Sequence, residues 1–182
     1  MTNRDHLRDL FRSRALQFGD FTLASGKKSS YYVNSKKVLF HAEAITRLGE
    51  ELYEATHDLT FQAIGGLEVG AIPMAAAALT AFHRHGRHLE GFFVRKQAKG
   101  HGSQELVEGQ VNKGDAVVVI DDVLTTGGSV IQAIKAVEAA GATVARVVCI
   151  CDRLQGAREA LAGYDYRPLF TIRDFGIEPP AA

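Results

Sequence analysis

The chain has 182 residues, 46% of them hydrophobic, and its 21 basic side chains are balanced by 21 acidic ones. A chain of this length is typical of one domain, which buries roughly 70% of the unfolded surface. The charge balance gives no reason to expect nucleic acid or a membrane surface as partner, and no apolar run approaches the roughly 20 residues of a membrane span. The first residues lack the pattern of a secretory signal, so a cytoplasmic protein is expected.

The predicted elements begin with a helix over residues 4–18, where apolar residues recur at near-helical spacing as far as Leu16. A strand, a turn at Ser25-Gly26 and a second strand are expected between residues 21 and 33. Helices and strands then alternate, with helices predicted over 42–56, 71–83 and 130–140, and strands over 61–64, 90–95, 117–120 and 145–151. This alternation predicts an α/β fold with a mostly parallel central sheet flanked by helices.

The most informative stretch runs from Val117 to Val130. Its four β-branched apolar residues, 117–120, are typical of a strand buried on both faces of a parallel sheet. Asp121 and Asp122 follow at the carboxyl end, where open α/β sheets bind ligands. The small residues of segment 125–129 then lead into a helix, whose free N–H groups and positive end favour a phosphate.

The acid pair narrows the kind of ligand that this stretch would bind. Carboxylates would repel a bare phosphate, but they accept hydrogen bonds from sugar hydroxyls and help to hold a hydrated cation. The segment lacks the Lys-Ser/Thr ending of a P-loop and the G-x-G-x-x-G spacing of a dinucleotide site. A phosphorylated sugar is therefore the expected ligand. The alternative is an ordinary strand–turn–helix with two exposed acids.

Two further loops follow predicted strands. The glycines of segment 65–70 permit left-handed backbone angles and a nest for a diphosphate, which we favour over a tight turn with close helix packing. Basic residues crowd segment 95–104, and no apolar periodicity ties it to a core. Such a loop is either a solvated segment or a functional lid. We favour the lid, because the segment directly follows a strand and its charge suits a polyanion.

The cysteines and clustered histidines predict no metal site. Cys149 and Cys151 are the only cysteines and would share one face of a strand. Without a third and a fourth ligand nearby they make a poor zinc site, so they are predicted to be small buried core residues. His83, His85 and His88 fall at the end of a predicted helix, which favours a solvated helix terminus.

Together these segments resemble the orotate phosphoribosyltransferase family over nearly the whole chain. The stretch 117–130 looks like the motif with which type I phosphoribosyltransferases bind 5-phosphoribosyl 1-diphosphate (PRPP). Segment 18–34 looks like the family's nucleobase-site region, and segment 94–102 looks like its mobile catalytic loop. Asp152-Arg153 matches the place where the family has an arginine that binds the orotate carboxylate.

The resemblance implies a single phosphoribosyltransferase domain over 1–182, with an N-terminal hood over about 1–40 and a core over about 41–182. The implied reaction transfers ribose 5-phosphate from PRPP to a ring nitrogen of orotate, giving orotidine 5′-monophosphate and diphosphate in pyrimidine biosynthesis. Mg²⁺ would be required. Family members are homodimers in which each catalytic loop reaches into the neighbour's site, so a homodimer with shared active sites is implied.

Residue roles follow from the same resemblance. Lys99 and His101 would be catalytic, Thr125 and Arg153 would bind orotate, and no residue would bind the metal directly. The planar guanidinium of Arg153 suits a carboxylate in a way that lysine does not. The residues expected to bind PRPP are Arg95, Lys96, Lys99, His101, Asp121, Asp122, Val123, Leu124, Thr125, Thr126, Gly127, Gly128 and Ser129.

Two positions depart from one branch of the family. Lysines that some members carry are replaced here by Ala24 and Val69, so two positive contacts to the substrates are missing. Lys27 and Lys28 are candidates to substitute for them, but we favour the interpretation that both are solvated surface residues.

Two other functions are weighed against orotate transfer. One is transfer to another base such as a purine, which carries no carboxylate for Arg153 to bind. The other is a regulatory protein that only senses PRPP. The neutral overall charge and the retained Lys99-Gly100-His101 sequence disfavour that reading, because a sensor usually needs a nucleic-acid surface and has little use for transition-state groups.

Overall fold

The computed structural model of the protein describes residues 1–22, 28–97 and 106–179. The helices are α1 (Asn3–Ala15), α2 (Lys36–Leu39), α3 (Ala42–Thr56), α4 (Ala71–Arg84), α5 (Gly128–Ala139) and α6 (Ala157–Ala160), and a 3-10 helix spans Ile172–Phe175. The strands are β1 (Leu16–Thr22), β2 (Lys28–Val33), β3 (Ala63–Leu67), β4 (Glu90–Val94), β5 (Val107–Gly109), β6 (Ala116–Leu124), β7 (Thr143–Asp152) and β8 (Tyr166–Thr171).

The central sheet has six strands in the order β5-β4-β3-β6-β7-β8, and β1 and β2 form a separate antiparallel pair. Every neighbouring pair in the central sheet is parallel except β4 and β5. The predicted α/β fold with a mostly parallel sheet is confirmed. Because these strands are parallel, the carboxyl ends of β3, β4, β6 and β7 lie along one edge.

Strand β6 shows how the sequence builds the layers. Val118 and Ile120 pack in a core cluster with α1, α3 and α4 on one face of the sheet. Val117 and Val119 pack against α5 on the other face. A strand covered on both faces needs apolar residues at every position, which the run of β-branched residues supplies.

The N-terminal helix is shorter than predicted. It ends at Ala15, and Leu16, whose backbone is extended, pairs with Val33 as the first residue of β1. Leu16 is buried in the strand, which explains its apolar character. The same character also fits the spacing of a buried helix face, and the helix was therefore predicted too long. The predicted turn at Ser25-Gly26 lies outside the described residues.

The glycines after Phe61 serve close packing, which corrects the prediction of left-handed backbone angles. Gly65 and Gly66 belong to β3, and neither they nor Gly70 has a positive φ. A Cβ at Gly65 would lie 1.9 Å from the carbonyl oxygen of Phe92, and one at Gly66 would lie 1.9 Å from that of Ile120. Side chains at these two positions would therefore collide with the neighbouring strands.

The cysteines are small buried core residues, and the clustered histidines are exposed near the end of α4, as predicted. Cys149 and Cys151 are buried and unbridged. His83 and His88 lie at the end of α4 or beyond it, while His85 stacks on Tyr53. No group of three or more metal-ligating side chains occurs in the described ranges.

Over residues 1–22, 28–97 and 106–179, none of the helices combines the length and the apolar character that crossing a bilayer requires. The cytoplasmic location stays a prediction.

Candidate active site

The carboxyl edge of the sheet collects most of the predicted site residues. The turn after β3 contributes Glu68, Val69 and Gly70, and Arg95 and Lys96 follow β4. The end of β6 and the start of α5 supply 121–129, and Arg153 follows β7. These segments are remote in the chain, and the parallel topology brings them together.

The acid pair lies within β6, which runs past it to Leu124. Asp121 and Asp122 are 6% and 8% exposed. Asp121 accepts hydrogen bonds from the Asp122 N–H (2.8 Å) and from Ser129 Oγ (2.6 Å). Asp122 Oδ1 accepts from the Val123 N–H (2.9 Å). Both carboxylates are thus held by groups that follow them in the chain, namely backbone N–H groups and the Ser129 hydroxyl.

The other oxygen of Asp122 is held by the N-terminal region. Lys36 Nζ lies 2.9 Å from Asp122 Oδ2, and Ser35 Oγ donates a hydrogen bond to the same oxygen. Gly70 lies against this carboxylate, since a Cβ there would be 2.6 Å from Asp122 Cγ. The start of α2 and the start of α4 therefore both contact the acid pair.

The two carboxyl groups have opposite pKa shifts. Burial and the adjacent charge of Asp122 raise the pKa of Asp121 to about 7. Burial would also raise the pKa of Asp122, but hydrogen bonds from Ser35 and Lys36 outweigh it and hold that pKa below its ordinary value. Of the two carboxyl groups, Asp122 is therefore the one that stays ionised, and Asp121 is the one that keeps its proton more readily.

The segment after the acid pair is shaped to bind an anion. Gly127 adopts a left-handed conformation with φ of 86° and precedes the first residue of α5. The N–H groups of the first helical turn have no partner within a helix, and they carry its positive end. Thr126, Gly128 and Ser129 are exposed, and Thr125 is half-buried. Backbone N–H groups and threonine hydroxyls are thus available to a phosphate.

Leu124 and Val123 were predicted to bind PRPP, but their side chains pack into the core of the protein. The side chain of Leu124 is fully buried in the core on the α5 side of the sheet. Its carbonyl accepts a hydrogen bond from the Arg153 N–H (2.9 Å). Val123 is partly buried and packs against the opposite core cluster. Neither side chain is free to bind a polar ligand, because in a strand covered on both faces apolar side chains enter the core.

Arg95 has an unsatisfied donor at the carboxyl edge. Its Nη1 faces Glu108 Oε1 at 3.5 Å, and its buried Nε has no hydrogen-bond partner within the described ranges. A buried donor without a partner is costly, and an anion bound here would satisfy it.

Lys96 is held through its backbone. The Lys96 N–H donates to Glu68 Oε1 (2.9 Å), and its carbonyl accepts from Gln132 Nε2 (3.2 Å). Its exposed side chain is left to reach a ligand. The turn after β3 and helix α5 thus both fix the point where segment 98–105 begins.

Arg153 is positioned by Tyr31 of β2. Its guanidinium lies 4.7 Å from the centre of the Tyr31 ring, and its Nε donates to the Tyr31 hydroxyl (3.2 Å). Arg153 is only 8% exposed. Among the residues that the structure describes, neither terminal Nη atom has a hydrogen-bond or ion-pair partner. The two Nη atoms are therefore free to bind a carboxylate together.

The predicted catalytic residues Lys99 and His101 lie outside the described residues, as do Ala24 and Lys27. Val69 is 56% exposed. Sequence reasoning missed five residues that hold the site in place, because each acts across a large sequence separation and no local pattern marks it: Tyr31, Ser35, Lys36, Glu68 and Gln132.

The arrangement suits two anionic ligands side by side. The helix start and Arg95 offer donors to phosphate groups, and the acid pair offers acceptors to sugar hydroxyls. Arg153 is free to bind a carboxylate at the same edge. A phosphorylated sugar and a carboxylated partner can therefore meet there.

Comparison with known proteins gives the family. The phosphoribosyl transferase domain family matches residues 36–174. Orotate phosphoribosyltransferase from Rhodopirellula baltica is 42% identical over 178 residues, which cover 93% of this chain and 92% of that protein. The crystal structure of orotate phosphoribosyltransferase from Mycobacterium tuberculosis with Fe(III) dicitrate has a TM-score of 0.86 at 37% identity and covers 97% of this chain and 100% of that chain.

A structure of the Mycobacterium tuberculosis enzyme in complex with PRPP has a TM-score of 0.82 at 34% identity, over 97% of this chain and all of that chain. The resemblance found in the sequence is confirmed. The parallel sheet, the acid pair at its carboxyl edge and the relatives agree, and the chain belongs to the orotate phosphoribosyltransferases within the phosphoribosyltransferase family.

Proposed function

We propose that this protein transfers ribose 5-phosphate from PRPP to orotate, giving orotidine 5′-monophosphate and diphosphate in pyrimidine biosynthesis. The observation that carries the proposal is the pair of free Nη atoms of Arg153 at the same edge of the sheet as the buried acid pair. The acid pair and the α5 start suit the sugar phosphate. Arg153 supplies what orotate has and purines lack, a partner for a carboxylate.

PRPP would bind along the carboxyl edge of the sheet. Its 5′-phosphate would accept hydrogen bonds from segment 125–129 at the start of α5. Asp121 and Asp122 would accept hydrogen bonds from the ribose hydroxyls. Arg95 of the same chain would face the diphosphate, where its unsatisfied Nε gains a partner.

Catalysis would depend on charge that develops as the bond at the anomeric carbon breaks. The ribose passes through an oxocarbenium-like state, as in glycoside cleavage, while negative charge builds up on the leaving diphosphate. Lys99 and His101 would stabilise that charge more in the transition state than in the ground state. Exclusion of water matters, because an oxocarbenium exposed to water would be hydrolysed.

Mg²⁺ is proposed to enter with PRPP and not to have protein ligands of its own. All four oxygens of the acid pair already accept hydrogen bonds from protein groups. Such carboxylates fit contacts to ribose hydroxyls and to the water shell of a cation better than direct coordination. When bound, the cation would neutralise charge on the diphosphate.

We propose further that the enzyme is a homodimer with shared active sites, in which Lys96, Lys99 and His101 of each chain contact PRPP bound to the other. Three large apolar side chains next to or within α2 and α4 are exposed in one chain, namely Phe40, Val69 and Ile72. A second copy would bury them. Family resemblance and this exposure are the support for the dimer.

Subunit mixing tests the shared site. We expect Lys99→Ala and Arg153→Ala proteins to be almost inactive alone, and their equimolar mixture to recover about a quarter of wild-type activity after subunit exchange. Each mixed dimer then holds one site with both residues intact. Exchange is verified with two differently tagged chains. If exchange is complete and activity stays absent, each chain supplies its own Lys99.

The reaction is tested by the loss of orotate absorbance in the near ultraviolet when the protein meets PRPP and Mg²⁺. Adenine, hypoxanthine, guanine and uracil run in parallel, with diphosphate release as the signal. We expect orotate-dependent loss that EDTA abolishes. Release with a purine alone would assign another base and overturn the role of Arg153, whereas PRPP binding without release would indicate a sensor.

A further inference from the structure

The contact between Lys36 and Asp122 joins the N-terminal region to the PRPP-binding edge. Lys36 opens the short helix α2, and its Nζ lies 2.9 Å from Asp122 Oδ2, 86 residues away in the chain. Ser35 Oγ donates to the same oxygen. The Lys36 side chain is 54% exposed and that of Asp122 is 12% exposed, so a largely exposed ammonium pairs with a largely buried carboxylate.

The buried carboxylate of Asp122 needs a cationic partner. It is buried beside a second carboxyl group, Asp121, and a buried charge is costly unless it is paired and hydrogen-bonded. Its Oδ1 is fixed by the Val123 N–H, and the absence of a side chain at Gly70 leaves the space that the carboxylate occupies. The remaining freedom is at Oδ2, where Ser35 and Lys36 bind.

The backbone at Lys36 is itself anchored. Val38 and Leu39 of the same short helix are buried in the core, which fixes the start of α2 against the sheet. Lys37 is the next residue, is exposed, and has no ion pair with a described residue. The two lysines are therefore neighbours in the same helix with the same charge, but the acid pair is contacted by Lys36. This makes Lys37 a matched control.

We propose that Lys36, assisted by Ser35, is a positioning residue that holds Asp122 in the orientation needed to accept the ribose hydroxyls of PRPP. This inference rests on the proposed function and assigns a role to a residue outside the PRPP motif. The role acts through Asp122, so it affects the binding of PRPP and not that of orotate, which is held at Arg153.

The test is kinetic and compares three variants. Lys36→Met is expected to lower kcat/KM for PRPP about tenfold, because a charge-assisted hydrogen bond to a buried carboxylate is lost. The KM for orotate is expected to change less than about twofold, since its site shares no contact with Lys36. Lys36→Arg should restore most of the loss, and Lys37→Met should match wild type.

A double-mutant cycle separates positioning from a general structural effect. PRPP affinity is measured by titration calorimetry with Lys36→Met, Asp122→Asn and the double variant, each checked for folding by its thermal melting curve. If Lys36 acts through Asp122, adding Lys36→Met to Asp122→Asn changes the PRPP Kd by less than about twofold. A full tenfold loss in that background would overturn the proposal, as would equal losses for PRPP and orotate.

The wild-type control distinguishes this inference from the proposed reaction. A wild-type protein that consumes no orotate would refute the proposed function. An active wild type whose PRPP kinetics are unaltered in Lys36→Met would leave that function standing and refute the role of Lys36.

Discussion

Arg153→Ala is expected to lower kcat/KM for orotate by about a hundredfold to a thousandfold, because it removes the buried partner of a carboxylate. The Kd for PRPP is expected to stay within about twofold of wild type, since the acid pair and the start of α5 are unaltered. The measurement is steady-state kinetics with orotate varied, together with calorimetric titration of PRPP.

Three companion variants identify what Arg153 contributes. Arg153→Lys keeps the charge but loses the planar fork, and is expected to recover only part of the activity. Tyr31→Phe keeps the ring under the guanidinium and removes the hydroxyl that binds its Nε, so a smaller increase in the orotate KM is expected. Arg173→Ala removes an exposed arginine elsewhere and should match wild type. Unchanged orotate kinetics in Arg153→Ala would refute the assignment of the orotate site.

Asp121→Asn is expected to make the protein more stable and nearly inactive at pH 8. The pKa of Asp121 is raised from 3.8 to about 7 by burial and by the Asp122 charge. A group with a raised folded-state pKa contributes stability below its unfolded pKa, and that contribution is lost as pH rises through the folded pKa. Ionised Asp121 therefore destabilises the wild-type fold at pH 8, and neutral asparagine removes this effect.

This shift corresponds to a gain of about 4 kcal/mol in the free energy of unfolding at pH 8, falling towards zero below about pH 4, where both side chains are neutral. The loss in kcat/KM for PRPP is expected to be about a hundredfold, because the amide replaces an anionic acceptor of the ribose hydroxyls. Urea unfolding at pH 4 and pH 8 gives the stability difference, and steady-state kinetics gives the activity.

Asp122→Asn is the matched control for the stability measurement. The pKa of Asp122 is lowered by Ser35 and Lys36 against the effect of burial, so its ionised form contributes stability above the unfolded pKa. That variant is expected to show no gain at pH 8. Equal gains in both variants would show that the two carboxyl groups are equivalent and would contradict the opposite pKa shifts.

Local sequence signals predicted the part of the site that lies within a single continuous stretch, residues 117–130. The run of β-branched residues, the two acids and the glycines predicted β6, its carboxyl end and the start of α5. The predicted helix over 42–56 agrees with α3 residue for residue. Short elements such as α2 and β5 were not predicted, because a few residues give too weak a periodicity to stand apart from a loop.

The remaining part of the site depends on tertiary contacts that have no local signature. The pairing of Tyr31 with Arg153 and of Lys36 with Asp122 spans a large part of the chain. The glycines of β3 were recognised as unusual, yet the physical reason was wrong. They accommodate the close approach of strands β4 and β6, a property of the sheet that becomes visible only once the strand order is known.

The hydrogen bond from the Arg95 N–H to the Leu106 carbonyl (2.8 Å) lies at the two ends of the segment in which we propose the catalytic residues Lys99 and His101. Together with the pairing of β4 and β5, it joins the two ends of the intervening segment within the sheet. Bringing the two ends of the segment together costs conformational entropy. The pairing of β4 and β5 offsets that cost in the absence of substrate. We therefore expect substitutions between these ends to leave the pairing of β4 and β5 intact, so that the segment can vary in evolution and in design independently of the sheet.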